Sequence, residues 1–412
     1  MLQPNNQPSV FARIRGPSFG FRLSLRASVV LTVLAVMLVG FGVGVYAAGP
    51  IDAMVGEQAQ RLPTEQVEDY WNKLVVDYGG FFPSGTVPSF KEMLTPGGGF
   101  GIKSIASGLM KYLFYEVLAN GKLLGTIILL TVFSMILETV QSAFEKKAVS
   151  KVAYAIIYMV LIVLAINSFT IAIGYAKSAI GGMIQFMVAV VPLLLTMLAS
   201  MGNMTTVAVM HPLIVFMVHM VGTLIYTVVF PLLFFSTVLH IVSSLSEKYK
   251  VTRLANMLRT LGVGLLGFCV MVFLGVISVQ GTTGAVTDGV AIRTAKYVAG
   301  NFVPVVGRMF SDASETVVGA SLLVKNAVGL AGVVVIILLC AFPALKILSL
   351  ALIYNLSAAV LQPLGDSPIG GCLQTIGKNM MYVFASLAAV GFMFFLAITI
   401  MITVGNVSVM MR

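Results

Sequence analysis

The sequence predicts an all-α fold: a polytopic transmembrane helical protein with an N-terminal signal sequence and amphipathic interfacial helices. Three observations predict it. Hydrophobic residues make up 58% and charged residues 10% of the 412 residues, with a mean hydropathy of +1.01. A soluble domain carries about 25% charged residues, so this chain cannot coat a water-facing surface. Apolar runs recur at the roughly 20-residue length that crosses the hydrocarbon as a helix. The basic excess, 25 Lys and Arg against 15 Asp and Glu, falls largely between those runs, as Lys and Arg do in cytoplasmic loops. No clustered basic face of the kind nucleic acid requires is evident.

At the N-terminus, residues 1–26 are polar, with Arg13, Arg15, Arg22 and Arg26 and no acid. Residues 27–46 are apolar, and Val45-Tyr46-Ala47 places small residues at the spacing signal peptidase reads. Residues 1–47 are therefore expected to be a basic leader with a signal peptide or signal anchor. The next segment, 48–121, is expected outside the cytoplasm.

Within that segment, Val67, Trp71, Leu74 and Tyr78 share one helical face, and Gly79-Gly80 supplies a stop. Pro83, Pro88, Pro96 and Gly97-Gly98-Gly99 read as a linker. So short a stretch can scarcely bury its own core, which places it on the membrane or against a partner. Residues 102–118 carry Ile105, Leu109, Tyr112, Leu113 and Val117 on one stripe, with Lys103, Ser107 and Lys111 opposite. This is the pattern of an interfacial helix.

The remainder, 122–412, is a multispanning domain. About eight spans are expected: 123–141, 152–173, 183–199, 207–226, 228–245, 261–279, 327–344 and 380–404, with 347–361 apolar but short. Counting from outside puts Lys146, Lys147 and Lys151, and later Lys248, Lys250, Arg253 and Arg259, in the cytoplasm. Val251, Leu254 and Leu258 suggest that 246–260 lies along the inner surface. The same count puts Arg293, Lys296, Arg308 and Lys325 outside, against the rule. Treating 207–245 as one element broken at Pro212 and Pro231 would repair this but would move Lys248–Arg259 outside, so the eight-span count is kept.

The discordant residues lie in a charged amphipathic segment, 281–326. Arg293 and Lys296 share a face with Gly289 and Gly300. After Pro304, Arg308, Asp312 and Glu315 form a second charged stripe, with Arg308 and Asp312 spaced to pair at i, i+4. Two short amphipathic helices hinged at Pro304 are expected, and these five residues are candidates for partner docking or channel lining.

Candidate intramembrane polar residues are Glu138, Asn167, Gln185 and Lys346, since charge or amide at membrane depth faces a cavity, a partner or a neighbouring helix. For Glu138 and Lys346 an interfacial position competes with this reading. Gly262, Gly264 and Gly267 match a dinucleotide fingerprint by spacing but sit in an apolar helix, where glycines let another helix approach. Cys269, Cys340 and Cys372 read as small buried hydrophobes. His211, His219 and His240 have no metal-ligand spacing. There is no phosphate-binding loop and no nucleophile motif. No catalytic residue, metal or cofactor is expected.

Four stretches carry a family resemblance: EVLANGKLLGTIILLTVFSMILETVQSAF at 116–144, SSLSEKYKVTRLANMLR at 243–259, the whole of 274–329, and FPALKILSLALIYNLSAAVLQPLG at 342–365. With them the chain resembles the stage III sporulation protein AE family of endospore-forming bacteria, from about Lys111 onward. The resemblance implies a multi-pass protein of the mother-cell-derived membrane around the forespore. It implies membership of a secretion-like channel, or feeding tube, joining mother cell and forespore. The implied partners are a cytoplasmic ATPase, small membrane proteins and ring-forming proteins of the same operon, and a forespore membrane protein. It supplies no catalytic or binding residues.

A non-enzymatic channel component is thus the expectation. A stand-alone secondary transporter would require paired repeats with broken helices and midplane charges. Pro192, Pro212 and Pro231 are candidate breaks, but no repeat is evident. An intramembrane enzyme would need converging ionisable residues, and none is visible.

Overall fold

The computed structural model describes residues 63–82, 87–94, 102–143, 147–245, 251–302, 306–364 and 368–411. The chain divides into two compact units, Met1–Gly44 and Val45–Arg412, and all described residues lie in the second. The leader and signal therefore fall outside the described residues.

Among the described residues every regular element is helical. In order they are α1 (Glu65–Tyr78), α2 (Phe90–Met93), α3 (Ile102–Ala119), α4 (Gly121–Ala143), α5 (Lys147–Ser200), α6 (Met204–Leu224), α7 (Phe230–Leu245), α8 (Thr252–Phe302), α9 (Val306–Leu361) and α10 (Pro368–Met410). Among the described residues, five helices are long and apolar enough to cross a membrane: Ala155–Ser200, Met204–Ser244, Thr252–Val298, Glu315–Leu361 and Pro368–Met410. A sixth candidate is the pair Lys103–Ala119 and Gly121–Ile136, bent by 43° at Asn120.

This corrects the expected eight spans. Runs 152–173 and 183–199 are one helix, α5, because Gly174, Lys177, Gly181 and Gly182 lower hydropathy between them without breaking the backbone. Runs 327–344 and 347–361 merge into α9, with Pro343 inside it. Runs 207–226 and 228–245 form one element, the arrangement disfavoured by the charge count. A π-helical turn, Ile225–Val229, links α6 to α7. Pro231 lacks an N–H and crowds the preceding turn, and the wider π turn accommodates it. Residues 252–260 form the first turns of α8, which runs unbroken from Thr252 to Phe302. Hydropathy registers polar dips, whereas a helix ends only where its hydrogen bonds end.

Helix α9 is central, lying against α10, α5, α3 and α4. Its antiparallel register with α10 is set by glycine contacts: Gly329 of α9 against Ile402, and Gly391 and Gly377 of α10 against Cys340 and Asn355. A Cβ at Gly377 would lie 2.8 Å from the Asn355 side chain. Phe186, Phe273, Phe342 and Phe394 fill the core. The three cysteines are free and buried.

In the described residues before the bundle, α1 and α2 pack against it. α1 ends where expected, and its Val67, Trp71 and Leu74 are buried against α5 and α9 of the same chain. Trp71 is 1% exposed and its Nε1 donates to the Pro88 carbonyl at 2.9 Å. Ser89 opens α2 with a capping box: its hydroxyl accepts from Glu92 N while the Glu92 carboxylate accepts from Ser89 N. Ser89-x-x-Glu92 has the spacing of that motif.

Candidate functional site

The most connected polar arrangement lies where α5 turns into α6. Gly202, at φ 86°, is in the left-handed region and reverses the chain. Asn203 then stands at the N-cap of α6 but makes no capping bond. Its amide is engaged elsewhere: Nδ2 donates to Leu198 O at 3.3 Å, and Oδ1 accepts from the Ser408 hydroxyl of α10.

The cap is supplied by another helix. Asp288 of α8, 3% exposed, accepts from Thr205 N at 3.1 Å and from Thr206 N at 2.9 Å. A carboxylate at this place satisfies donors that have no intrahelical partner and complements the positive end of the helix dipole. The approach is close because α8 presents small residues around Asp288. A Cβ at Gly284 would lie 3.2 Å from Thr206 Cα, and one at Gly281 would lie 2.7 Å from Val404 Cγ2.

Beside this lies Lys325 of α9, 1% exposed. Its ammonium donates to Ile402 O at 2.7 Å and to Asn406 Oδ1 at 3.3 Å. Gly405 makes the room: a Cβ there would collide with Nζ. The α5–α6 turn, α8, α9 and α10 are thus tied by Asn203, Asp288, Lys325, Asn406 and Ser408. Each group is committed to a backbone or amide partner, so the arrangement fits a rigid joint and not acid–base chemistry.

Sequence reasoning does not select Asp288 or Lys325 as site residues, although a signal is there. Asp288 is a solitary acid flanked by Gly281, Gly284, Ala285 and Gly289 at helical spacing, and Lys325 is a lone cation at the head of a long apolar run. A charge at such depth marks a partner, but which oxygen it meets depends on tertiary placement.

The residues chosen from sequence are dispersed over the bundle and do not converge on one place. At the tip of α8 and α9, Lys296 pairs with Glu315 at 2.6 Å, and Arg293 is exposed. The two charged stripes are therefore the ends of two long helices, not a separate pair of short ones. Arg308 and Asp312 lie on α9 with side chains outside the described residues, and Pro304 falls outside the described residues altogether.

Halfway along the bundle, Lys346 lies 3.8 Å from Glu116 of α3 and over the Tyr175 ring at 5.2 Å. Next to it, Phe342 stacks on Tyr78 at 4.0 Å and meets Tyr112 edge-on at 5.0 Å. Burial, with the nearby Asp77 and Glu116 carboxylates, pushes the Tyr78 phenol up to about 12. Gln185 is exposed and lines a cavity of about 340 Å³ with Gln66, Asp69, Tyr70, Lys73 and His219.

Asn167 is exposed on α5, and the Glu138 side chain is outside the described residues. Gly262 meets Leu232 of α7, where a Cβ would lie 3.4 Å from Leu232 Cβ. A Cβ added at Gly264 or Gly267 would meet nothing of another element within 4 Å, so among the three glycines it is Gly262 that makes a close helix contact. Among the described residues no group of His, Cys, Asp and Glu could hold a metal ion.

The family described as stage III sporulation protein AE matches residues 88–405. The stage III sporulation protein AE of Bacillus subtilis (strain 168) is 52% identical over 354 residues, covering 86% of this chain and 89% of that protein. No solved structure matches. The matched span takes in Asn203, Asp288 and Lys325, while α1 lies before it.

Proposed function

Because this chain belongs to the stage III sporulation protein AE family, we propose that it is a non-enzymatic, multi-pass component of the secretion-like channel linking mother cell and forespore. The family supports a role in sporulation and is not an enzyme class. Five long apolar helices support a membrane location. The mother-cell-derived membrane around the forespore is the proposed site.

The observation that carries the reading is the absorption of buried charge within the protein. Lys325 and Asp288, the deeply buried charged side chains among the described residues, are spent on main-chain and amide partners. A transporter or pump needs such groups free to meet substrate or ions. A scaffold needs them to fix helices. On this reading the exposed Arg293 and the Lys296–Glu315 tip present a charged docking surface to the ring-forming or forespore partners, and the cytoplasmic ATPase supplies any energy.

The test is purification of the full chain with and without the proteins of its operon, then reconstitution in liposomes. Stable co-purification with the ring-forming or ATPase proteins is expected. Solute uptake by the protein alone would overturn the channel-component reading in favour of a stand-alone transporter.

A further inference from the structure

Charged side chains mark out an apolar belt around the bundle. On α9, residues 326–345 contain no Asp, Glu, Lys or Arg, a rise of about 30 Å along the helix axis. The adjoining stretches 178–200 of α5, 204–229 through α6 and the π turn, 260–287 of α8 and 379–410 of α10 are equally free of charge. Close glycine contacts set these stretches level: Gly329 faces Leu194 and Ile402, Gly281 faces Met210 and Val404, and Gly222 faces Ile184. Lys177, Arg259 and Lys346 bound the belt at one end, Asp288 and Lys325 at the other. Its height is that of the hydrocarbon layer, about 30 Å. Where α6 and α8 reach its surface they present side chains suited to lipid, Phe216 at 63% and Met271 at 71% exposure.

Helix α1 does not fit that surface. Near Gln66 and Asp69 the facing residues of α5 are Val188 and Ala189. Tyr70 meets Phe186 edge-on at 5.8 Å, and near Tyr78 the facing residues are Tyr175 and Ser178. Its neighbours on α9 are Leu339 and Phe342. The helix therefore stands along α5, antiparallel to it, from the middle of the belt to its Lys346 end. Its outward face nevertheless carries Glu65, Asp69, Asn72, Lys73 and Asp77, and Val76 is the one apolar residue of α1 that is exposed. On α3, which meets α1 through Tyr112 and Tyr78, the exposed side chains include Phe114 and Leu118, so the charged strip is confined to α1. Ionisable side chains at membrane depth turn to water or to protein, because contact with lipid is costly.

The cavities under α1 are an independent observation. The one of about 340 Å³ brings Gln185 of α5 and His219 of α6 together with Asp69 and Lys73 of α1. A second, of about 260 Å³, shares Tyr70 and Lys73 with it and continues past Asp77 and Ser178 to Lys346. Gln185 and His219 are polar residues on spans that are otherwise apolar at this depth, and both open toward α1 rather than toward a neighbouring span. Polar walls of this size hold water. We propose that α1 and the cavities it roofs form part of the wall of a water-filled passage through the membrane, with Asp69, Lys73 and Asp77 facing the water. The inference rests on the channel-component reading and adds to it the face of the chain that lines the conduit.

The test uses open membrane fragments that carry the full chain with the proteins of its operon, and a membrane-impermeant sulfonate thiol reagent. The native cysteines are buried and give little background. Asp69→Cys and Asp77→Cys should react, whereas Phe216→Cys and Met271→Cys should not. Reaction at Phe216→Cys or Met271→Cys would place the belt outside lipid and overturn the passage. No reaction at Asp69→Cys or at Asp77→Cys would overturn it in favour of a protein partner covering α1. In sporulating cells Asn72→Trp, which fills the path without touching the buried face of α1, should lose spore yield at unchanged protein level, and Phe216→Trp should not. Normal spores from Asn72→Trp would overturn the passage even with the expected labelling. Thiol labelling reads water access whether or not the chain is a channel component, so its failure is distinct from failed co-purification, which overturns the underlying reading.

Discussion

Replacing Asp288 tests the borrowed helix cap most directly. In Asp288→Ala the N–H groups of Thr205 and Thr206 lose their acceptor, at 3.1 and 2.9 Å in the native protein. Thr206 is 1% exposed, so water cannot substitute freely. An orphaned buried donor costs about 1–3 kcal/mol, and the second, on the exposed Thr205, costs less, giving roughly 2–5 kcal/mol for the pair. Loss of the negative charge at the helix N-terminus acts in the same direction. At roughly 2 °C per kcal/mol for a large domain, the melting temperature should fall by about 4–10 °C. Asp288→Asn keeps one acceptor oxygen and should fall about half as far. The assay is the fraction of detergent-solubilised protein surviving as a monodisperse peak after heating, with both variants measured beside the wild type. Equal melting temperatures for Asp288→Ala and the wild type, or a larger loss in Asp288→Asn than in Asp288→Ala, would refute the capping argument.

The same geometry sets other expectations. Gly405→Val should displace the Lys325 ammonium from Ile402 O and Asn406 and lower the melting temperature, whereas Lys325→Met should be nearly neutral, because the oxygens it releases are neutral acceptors. Comparing the two melting curves separates a steric joint from an electrostatic one. The Arg293→Glu, Lys296→Glu double variant should block sporulation while protein level is unchanged by immunoblot, since an exposed pair such as Lys296–Glu315 contributes little to stability. Normal spores would make the tip an ordinary surface. Leu74→Asp should detach α1, seen as faster cleavage before Gly79 in limited proteolysis. The docking of α1 should also respond to alkali. The Tyr78 phenol is raised from 10.0 to about 12, so docking is at full strength below pH 10 and weakens as pH climbs toward 12. Tyr78→Phe should remove that dependence.

Much of the helical content was legible because it rests on local rules. The stop at Gly79, the start of the helix at 102 and the extent of α4 all reflect periodicity and breakers. The number of crossings was not legible in the same way. Lys177 and the glycines beside it look like an interruption to a hydropathy window, yet they leave every backbone bond of α5 in place. The site divided similarly. The Lys296–Glu315 contact joins two stripes that spacing had marked separately, because a helical hairpin brings residues 19 apart together. Asp288 and Lys325 were missed because their partners are the turn at Asn203 and the main chain at Ile402, and main-chain partners leave no mark in a sequence. Burial of Trp71 under the bundle was hidden for another reason: a short amphipathic helix looks the same whether it covers a membrane, a partner or its own chain.

That last placement makes the molecule its own optical probe. Trp71 is the single tryptophan of the chain, and it is sealed between α1, the Pro88 carbonyl and the bundle. All intrinsic indole emission therefore comes from one position, and its wavelength reports whether α1 is seated. Exchange of detergent for lipid, arrival of an assembly partner, or a variant at Phe342 can each be monitored without a label, as a red shift when α1 lifts and water reaches the ring.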